Sequence, residues 1–124
     1  MSAPTKSTRS ERRIVPRYRV YLGSEIVLGP GKAELLEHIA ETGSISEAAR
    51  LMGMSYNRAW LHVKVMNESF KEPLVNSTRG GTTGGGASLT DEGTKVVALY
   101  RKMEREAEKA TADTRDQLKR LMRS

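Results

Sequence analysis

The chain contains 124 residues, with no cysteine and a formal net charge of +6 at neutral pH. This length predicts one domain with tails, and the lack of cysteine excludes both a disulfide framework and a thiolate zinc site. No apolar run approaches the roughly 18 residues needed to cross a membrane, and the N-terminus lacks the apolar segment of a secretory signal. We therefore expect a cytoplasmic protein, and its positive charge favours a polyanionic partner.

The positive charge is concentrated near the N-terminus. Residues 1–23 contain six Lys or Arg and one Glu, whereas residues 24–90 contain six Lys or Arg and seven Glu. Residues 1–15 consist largely of Ser, Thr, Pro and charged residues, which predicts a disordered basic arm. Such an arm can contact DNA phosphates, but a solvated tail with no partner has the same composition.

A small hairpin is predicted to open the folded part of the chain. Apolar residues alternate with others over residues 17–22, Gly23-Ser24 interrupts the alternation, and residues 26–28 are apolar again. This period of two indicates two short strands joined by a turn. Residues 32–41 then place apolar side chains at helical spacing, and Thr42-Gly43 is expected to end this first helix.

Two further helices are predicted between Ser44 and Phe70, with a tight turn between them. Ser44 and Glu47 have the spacing of a capping box, in which each side chain bonds to the backbone N–H of the other residue. Gly53 supplies the conformational freedom of a sharp turn, and Ser55 is a suitable cap for the second of these helices. This arrangement is typical of a helix-turn-helix, whose second helix enters the DNA major groove by its N-terminal end. An ordinary helical hairpin shows the same pattern, so that interpretation stays open.

The second of these helices is predicted to have one buried and one exposed face. Its apolar stripe recurs at steps of four, three and four residues, at Ala59, Val63, Met66 and Phe70. Nearly opposite this stripe lie Asn57, Leu61, Lys64 and Glu68, with Arg58 to one side, so the exposed surface carries amide, guanidinium, ammonium and aliphatic groups. We expect Asn57 or Arg58 to read base edges, because Asn pairs well with adenine and Arg with guanine, and we expect Lys64 to contact phosphate.

A glycine-rich hairpin is predicted after Pro73, which ends the helix before it. Residues 74–79 and residues 87–89 form its expected strands, and residues 80–86 form its tip. A hairpin directly after a recognition helix is a wing, although a flexible hairpin without a ligand would have the same composition. The candidates for phosphate or minor-groove contacts in this wing are Arg79, Thr82 and Thr83.

No pattern for catalysis, nucleotide binding or metal binding is matched. A P-loop needs Lys and Ser or Thr after its last glycine, whereas Gly86 is followed by Ala87-Ser88-Leu89. Paired carboxylates beside an apolar pocket, an activated nucleophile and a metal-ligand cluster are also lacking, and His38 and His62 have no partner at ligand spacing. We therefore predict neither an enzyme nor a metal-binding protein.

Residues 91–124 are predicted to form a C-terminal dimerisation helix, capped by Thr90. The helix is longer than the small core requires, and a surplus amphipathic helix usually buries its apolar stripe against a partner, most simply a second copy of itself. Residues 111–114 have weaker helical propensity, so the helix either breaks there or continues. The residues of the stripe, at intervals of three and four, are Val96, Leu99, Tyr100, Met103, Ala107 and Ala110.

Taken together, these elements resemble a known family. The segment TGSISEAARLMGMSYNRAW, followed by LVNSTRGGTTGGGASLTDEG, is similar to the N-terminal winged helix-turn-helix domain of ModE-type molybdate-responsive regulators, within the wider LysR-type winged-helix group. The resemblance runs from about Gly31 to Tyr100. Its specific parts are the Gly-Ser-Ile-Ser opening, Ala48-Ala49, Ser55-Tyr56, Ala59-Trp60, the glycine-rich wing, and Leu89-Thr90 with Gly93.

The resemblance implies a mainly α fold with a small β component, in which residues 16–90 form a winged helix-turn-helix with an N-terminal hairpin. It also implies a dimeric transcriptional regulator, expected to be a repressor, that binds double-stranded DNA at a palindromic operator. Lys64 would lie towards the DNA backbone, with the wing at residues 79–86. The groove-facing residues carried over from the family would be Ser55, Tyr56, Asn57, Arg58 and Leu61.

Full-length members of the family sense molybdate through C-terminal domains, which are not found before the chain ends at Ser124. We therefore expect no cofactor and no molybdate sensing by these residues. This departure leaves a second hypothesis open, in which the fold is an interaction module that pairs with a full-length regulator.

Overall fold

The computed structural model describes residues 11–78 and 86–123. Within these ranges the chain is mainly helical with two small antiparallel hairpins, which confirms the predicted fold class. In chain order the elements are β1 (Val20–Leu22), β2 (Glu25–Leu28), α1 (Pro30–Thr42), α2 (Ile45–Leu51), α3 (Tyr56–Ser69), β3 (Val75–Ser77), β4 (Ala87–Leu89), α4 (Asp91–Ala110) and α5 (Ala112–Arg120).

The predicted N-terminal hairpin is formed by β1 and β2. The strands pair antiparallel, with Val20 opposite Leu28 and Leu22 opposite Glu25. Gly23 lies in the turn at φ +63°, a left-handed conformation that glycine adopts without steric cost. The last two residues of β2 are buried, so the hairpin is anchored to the helices that follow it.

Helix α1 begins two residues earlier than the sequence predicted. Pro30 lies in its first turn, where a missing N–H costs nothing because the first N–H groups of a helix have no partner within it. At the other end Gly43 adopts φ +69° and donates its N–H to the carbonyl of Ile39 at 2.8 Å. The predicted end of the helix is therefore confirmed, and the predicted start at Lys32 is wrong.

The hydrophobic core lies between α1, α2 and α3, and the hairpins and α4 close it. On α3 three members of the predicted stripe are buried, since Ala59 and Met66 have no exposed surface and Val63 is 4% exposed, while Phe70 lies just after the helix and is half-buried. Burying this stripe holds α3 by one face and leaves its opposite face to solvent. The largest buried side chains of the core are Leu35, Leu36, Ile39, Met66, Leu74 and Tyr100.

Tyr100 belongs to the core of its own chain. Its side chain is 2% exposed, and its hydroxyl donates a hydrogen bond to the carbonyl of Tyr18 at 2.6 Å. Val96 and Met103 also pack against this core, because doing so removes apolar surface from water without a second chain. Tyr100 is thus not available on the surface, while the role of the rest of the stripe in dimerisation stays a prediction. The exposed members of the stripe are Leu99 and Ala110, and Ala107 is half-buried.

Replacing Tyr100 with Phe removes one hydrogen bond and keeps the ring. Burial raises the pKa of the Tyr100 hydroxyl, so it is a donor at neutral pH. We expect Tyr100→Phe to lower the free energy of unfolding by about 1 to 2 kcal/mol, because the Tyr18 carbonyl loses its donor. Urea denaturation measures the change. The control is Tyr21→Phe at an exposed strand position, and an equal loss in both variants would contradict the role of the bond.

A cluster of charged side chains joins α4 to α1. Arg101 donates to both carboxylate oxygens of Glu37, at 2.6 and 3.0 Å, and to Glu104 at 2.8 Å. All three side chains are mostly buried. The hydrogen bonds to Glu37 raise the pKa of Arg101 further above its ordinary value, so the cluster stays ionised and fixes how α4 lies on α1.

The C-terminal segment forms two helices, which answers a question that the sequence left open. Helix α4 ends at Ala110 and α5 begins at Ala112. Between them the Thr111 hydroxyl donates to the carbonyl of Ala107 at 2.7 Å, a local bond that competes with regular helical pairing. The break therefore lies in the segment of weak helical propensity.

The end of the predicted N-terminal arm lies against α5. Residues 11–15 form neither helix nor strand, and the Arg12 guanidinium donates to the carbonyl of Lys119 at 3.1 Å. The rest of the arm, residues 1–10, lies outside the described residues, so its disorder stays a prediction.

Candidate nucleic-acid interface

The predicted helix-turn-helix consists of α2, a four-residue connection and α3. Gly53 lies in the connection, residues 52–55, and adopts φ +67°. The N–H of Met54 then bonds to the carbonyl of Ala49 at 3.0 Å and satisfies a carbonyl at the end of α2. The chain thus turns sharply enough for α2 and α3 to pack together.

Side-chain caps define where both helices begin. Ser44 Oγ accepts the N–H of Glu47 at 3.0 Å, and Ser55 Oγ accepts the N–H of Arg58 at 3.1 Å, so both predicted caps are confirmed. The reciprocal half of the predicted capping box is wrong. The Glu47 carboxylate pairs instead with Arg50 at 2.6 Å, because a guanidinium three residues on is the stronger partner for a charged group.

The outer face of α3 is exposed, as the sequence predicted. Its inner face is buried at Ala59, Val63 and Met66, which leaves the other side to solvent. All six positions predicted for DNA contact on this helix are therefore at the surface, and contact itself stays a prediction. The exposed residues over its cap and first turns are Ser55, Tyr56, Asn57, Arg58, Trp60, Leu61 and Lys64.

The two cations of this face differ in how they are held. Lys64 Nζ lies 3.0 Å from the carboxylate of Glu68, so a phosphate has to replace that carboxylate. The Arg58 guanidinium has no hydrogen-bond or salt-bridge partner among residues 11–78 and 86–123. Its fork of donors is therefore available for a bidentate contact with an acceptor pair such as a guanine edge.

An open groove of about 600 Å³ separates this face of α3 from the base of the wing. Hydroxyl groups line it on several sides, and such groups are common hydrogen-bonding partners of DNA phosphates. Sequence alone did not single out most of these residues for contact, because only the folded chain brings the start of α2, α3 and the wing together. The lining residues are Ser44, Ile45, Ser46, Tyr56, Asn57, Trp60, Ser77, Thr78, Gly86 and Ala87.

The base of the predicted wing is present. Strands β3 and β4 pair antiparallel, with Ser77 opposite Ala87. The N–H of Thr78 donates to the carbonyl of Gly86 at 2.9 Å, and the N–H of Gly86 donates to Thr78 Oγ1 at 3.1 Å. The predicted contacts at the tip fall outside the described residues and concern Arg79, Thr82 and Thr83.

Asn67 attaches the wing to α3, although no pattern in the sequence distinguishes it from other polar residues of the helix. Its Oδ1 accepts the N–H of Leu74 at 2.8 Å and the N–H of Val75 at 3.0 Å, while its Nδ2 donates to the Val75 carbonyl at 3.0 Å. One amide side chain thus satisfies three main-chain groups at the start of β3. Asn67 therefore fixes the start of β3 against α3.

Replacing Asn67 with Leu leaves those three main-chain groups without their partner. We expect Asn67→Leu to lower the free energy of unfolding by about 2 to 4 kcal/mol and to accelerate amide exchange in β3 more than in α1. Urea denaturation and hydrogen exchange measure the two effects. Asn57→Leu makes the same substitution at an exposed position of α3 and should change stability by less than about 0.5 kcal/mol. Equal losses in the two variants would contradict the role of Asn67.

A basic cluster lies on one side of α3, next to α1. Lys32 Nζ is 3.2 Å from His62 Nδ1, and Arg58 lies one helical turn before His62. Partial burial lowers the pKa of Lys32, and nearby Glu25 opposes this effect. Burial, followed by the charges of Lys32 and Arg58, also lowers the pKa of His62, so the imidazole is neutral at neutral pH.

Two other kinds of site are absent from the described part of the chain. Among residues 11–78 and 86–123, no group of three or more His, Asp or Glu residues could hold a metal ion. In the same residues, no helix combines the length and the apolar character that crossing a membrane requires.

A helix-turn-helix with a free polar face on its second helix, followed directly by a hairpin, defines the winged helix-turn-helix class. The family model described as bacterial regulatory helix-turn-helix protein, lysR family, matches residues 31–94, just over half of the chain. The chain belongs to the lysR family of bacterial regulatory helix-turn-helix proteins.

Sequence relatives confirm the resemblance to ModE-type N-terminal domains. The chain is 43% identical over 83 residues to the molybdenum transport protein ModE of Azotobacter vinelandii, covering 67% of this chain and 31% of that protein. It is 40% identical over 79 residues to the DNA-binding transcriptional dual regulator ModE of Escherichia coli K12, covering 64% of this chain and 30% of that protein. It is 47% identical over 73 residues to the molybdenum-pterin-binding protein MopB of Rhodobacter capsulatus, covering 59% of this chain and 27% of that protein. The chain thus spans less than a third of the length of these relatives.

A solved structure supports the fold. A point mutant of ZitR from Lactococcus lactis aligns with a TM-score of 0.52 at 18% identity, covering 93% of this chain and 74% of that chain. Because only 18% of the aligned residues are identical, this structural similarity shows that the two proteins share a fold and nothing more.

Proposed function

We propose that this protein is a transcriptional regulator that binds double-stranded DNA in a sequence-specific way. The observation that carries the proposal is the outer face of α3, where the side chains of Asn57 and Arg58 are exposed beside a groove lined with hydroxyl groups. The N-terminal half of α3 enters the major groove in this arrangement. Arg58 or Asn57 reads base edges, while Lys64 and the hydroxyls of the groove contact phosphates.

The proposed regulator is a homodimer that represses from a palindromic operator. Support comes from large apolar side chains on the surface. A second copy that covers them removes apolar surface from water, which stabilises the dimer. A two-fold dimer places its two α3 helices in successive major grooves, about 34 to 36 Å apart. The exposed residues are Tyr21 and Leu22 on β1, Leu99 on α4, Leu118 on α5 and Leu121 after it.

A link to molybdenum metabolism is part of the proposal. It rests on the names of the relatives, which include a molybdenum transport protein and a molybdenum-pterin-binding protein. Selection of the genomic DNA fragments that the protein binds would test the link, because the neighbouring genes identify the regulated process.

The same exposed leucines favour a second candidate function. Leu99 is 62% exposed and Leu121 is 85% exposed, and a different protein chain could cover them as well as a second copy does. The fold would then be an interaction module that pairs with a full-length regulator.

A binding titration separates the two functions. Fluorescence anisotropy is measured at two salt concentrations with two duplexes, one from upstream of the gene itself and one of random sequence. A DNA-binding regulator prefers the upstream duplex and loses affinity steeply with salt, because phosphate contacts release counterions. A shallow salt dependence with no preference between the duplexes would contradict the proposal and favour the interaction module.

A further inference from the structure

We propose that Lys32 and His62 together hold one phosphate of the DNA backbone beside α3, and that His62 takes a proton from the solvent when they do. This inference rests on the proposed DNA-binding function. Lys32 and His62 are thereby added to the proposed DNA-contacting residues, although they lie outside both the exposed face of α3 and the groove next to the wing.

The two side chains come from different helices and meet at the edge of α3. Lys32 Nζ approaches His62 Nδ1 at 3.2 Å, and both side chains are half-buried. His62 follows Arg58 by four residues, so the two side chains project from the same side of α3. The pair therefore borders the surface that is proposed to face DNA, at the point where the side chains of α1 and α3 meet.

Positive charge in this cluster exceeds negative charge. The charged groups that act on Lys32 and His62, apart from each other, are Glu25 from β2 and Arg58 from α3. Within residues 11–78 and 86–123, Lys32 forms no salt bridge with a carboxylate and Glu25 forms no salt bridge at all. A phosphate would supply the missing negative charge at a partly buried place, where charges interact more strongly than in water.

Protonation changes the hydrogen-bonding role of His62. A lysine ammonium group can only donate, so His62 Nδ1 is the acceptor in the free protein and the neutral ring carries its proton on Nε2. A phosphate oxygen between the two nitrogens needs a donor from each of them. A proton from the solvent on Nδ1 converts His62 into that second donor, and the bound anion raises its pKa again.

The sign of the pH effect separates this role from a structural one. Because folding lowers the pKa of His62 from its ordinary 6.5, the unfolded chain binds more protons, and stability is lost as the pH falls through the unfolded value. A purely structural His62 would therefore act only by lowering the folded fraction at low pH, which weakens DNA binding or leaves it unchanged. Proton uptake on binding has the opposite effect, since affinity rises as the pH falls over the same range.

The test uses the full chain and a random-sequence duplex, because a phosphate contact does not depend on base sequence. Anisotropy titrations at about pH 6 and about pH 8 should show several-fold tighter binding at the lower pH, within the limit of about tenfold per pH unit for one linked proton. His62→Asn keeps an acceptor near Lys32 but cannot titrate, so this gain should disappear. His and Asn have similar helix propensities, which limits other effects.

Lys32→Met gives an independent measurement, because it keeps the aliphatic stem and removes the charge. It should reduce the slope of log affinity against log salt by about one. Lys102→Met removes the same charge from an exposed position of α4 and should change neither the slope nor the pH profile.

Two results would count against the proposal in different ways. Matching pH profiles for the wild type and His62→Asn, together with an unchanged salt slope in Lys32→Met, would overturn the phosphate site alone. Failure of the wild type to bind any duplex would contradict the proposed DNA-binding function itself. If His62→Asn does not fold, as judged by circular dichroism, the salt slope of Lys32→Met decides.

Discussion

Replacing Gly93 with alanine is expected to destabilise the fold by about 3 kcal/mol and to lower the melting temperature by about 10 °C. Gly93 is buried in the first turn of α4. A Cβ atom there would overlap the carbonyl oxygen of Leu74 and lie 3.0 Å from its carbonyl carbon. That carbonyl also accepts the N–H of Thr90 at 2.9 Å, so it cannot rotate away without breaking this bond. The start of α4 must therefore move relative to the wing.

Thermal and urea denaturation would measure the effect of Gly93→Ala. The matched control is Gly31→Ala, since a Cβ at this position of α1 meets nothing within 4 Å. Alanine has the higher helix propensity, so the control should gain about 0.5 kcal/mol. Wild-type stability in Gly93→Ala would contradict the close approach of α4 to the Leu74 carbonyl.

Replacing Arg58 with alanine is expected to weaken binding to the preferred operator by about 1 to 3 kcal/mol and to relax sequence specificity. The side chain is exposed in the first turn of α3 and has no partner among the described residues. Its loss should therefore change the free energy of unfolding by less than about 0.5 kcal/mol. The effect is expected in DNA affinity and not in stability.

Titrations with the operator recovered by genomic selection and with a random duplex would measure this loss. Lys64→Ala should weaken binding to both duplexes alike and reduce the salt slope by about one, as expected for a phosphate contact. Lys102→Ala removes a charge from α4, on an exposed side chain that pairs with Glu106, and should leave both affinities unchanged. Equal losses on the two duplexes in Arg58→Ala would rule out a role in reading bases.

The parts of the fold that the sequence predicted well depend on local signals. Ser44, Ser55 and Thr90 each accept an N–H from the residue three positions later, as the spacing of their helices indicated. Gly53 has the left-handed conformation that the turn requires. These features involve neighbours in the chain, so they can be predicted without knowing the rest of the fold.

The apolar stripe of α4 shows where such prediction ends. Its periodicity correctly indicated one buried face, but periodicity does not specify what covers that face. In the structure Tyr100 reaches the carbonyl of Tyr18, which is 82 residues away in sequence. The sequence therefore assigned the stripe to a second copy of the chain, whereas Val96, Tyr100 and Met103 pack at the core of their own chain.

The sequence by itself determined the helix-turn-helix, the wing that follows it and the exposed positions on α3, because caps, turns and helical periodicity act over a few residues. Tertiary structure alone decided which distant groups meet. It placed Asn67 against the start of β3, Lys32 against His62, and the hydroxyls of three segments around one groove. These contacts depend on how helices pack in three dimensions, and no local pattern in the chain encodes that packing.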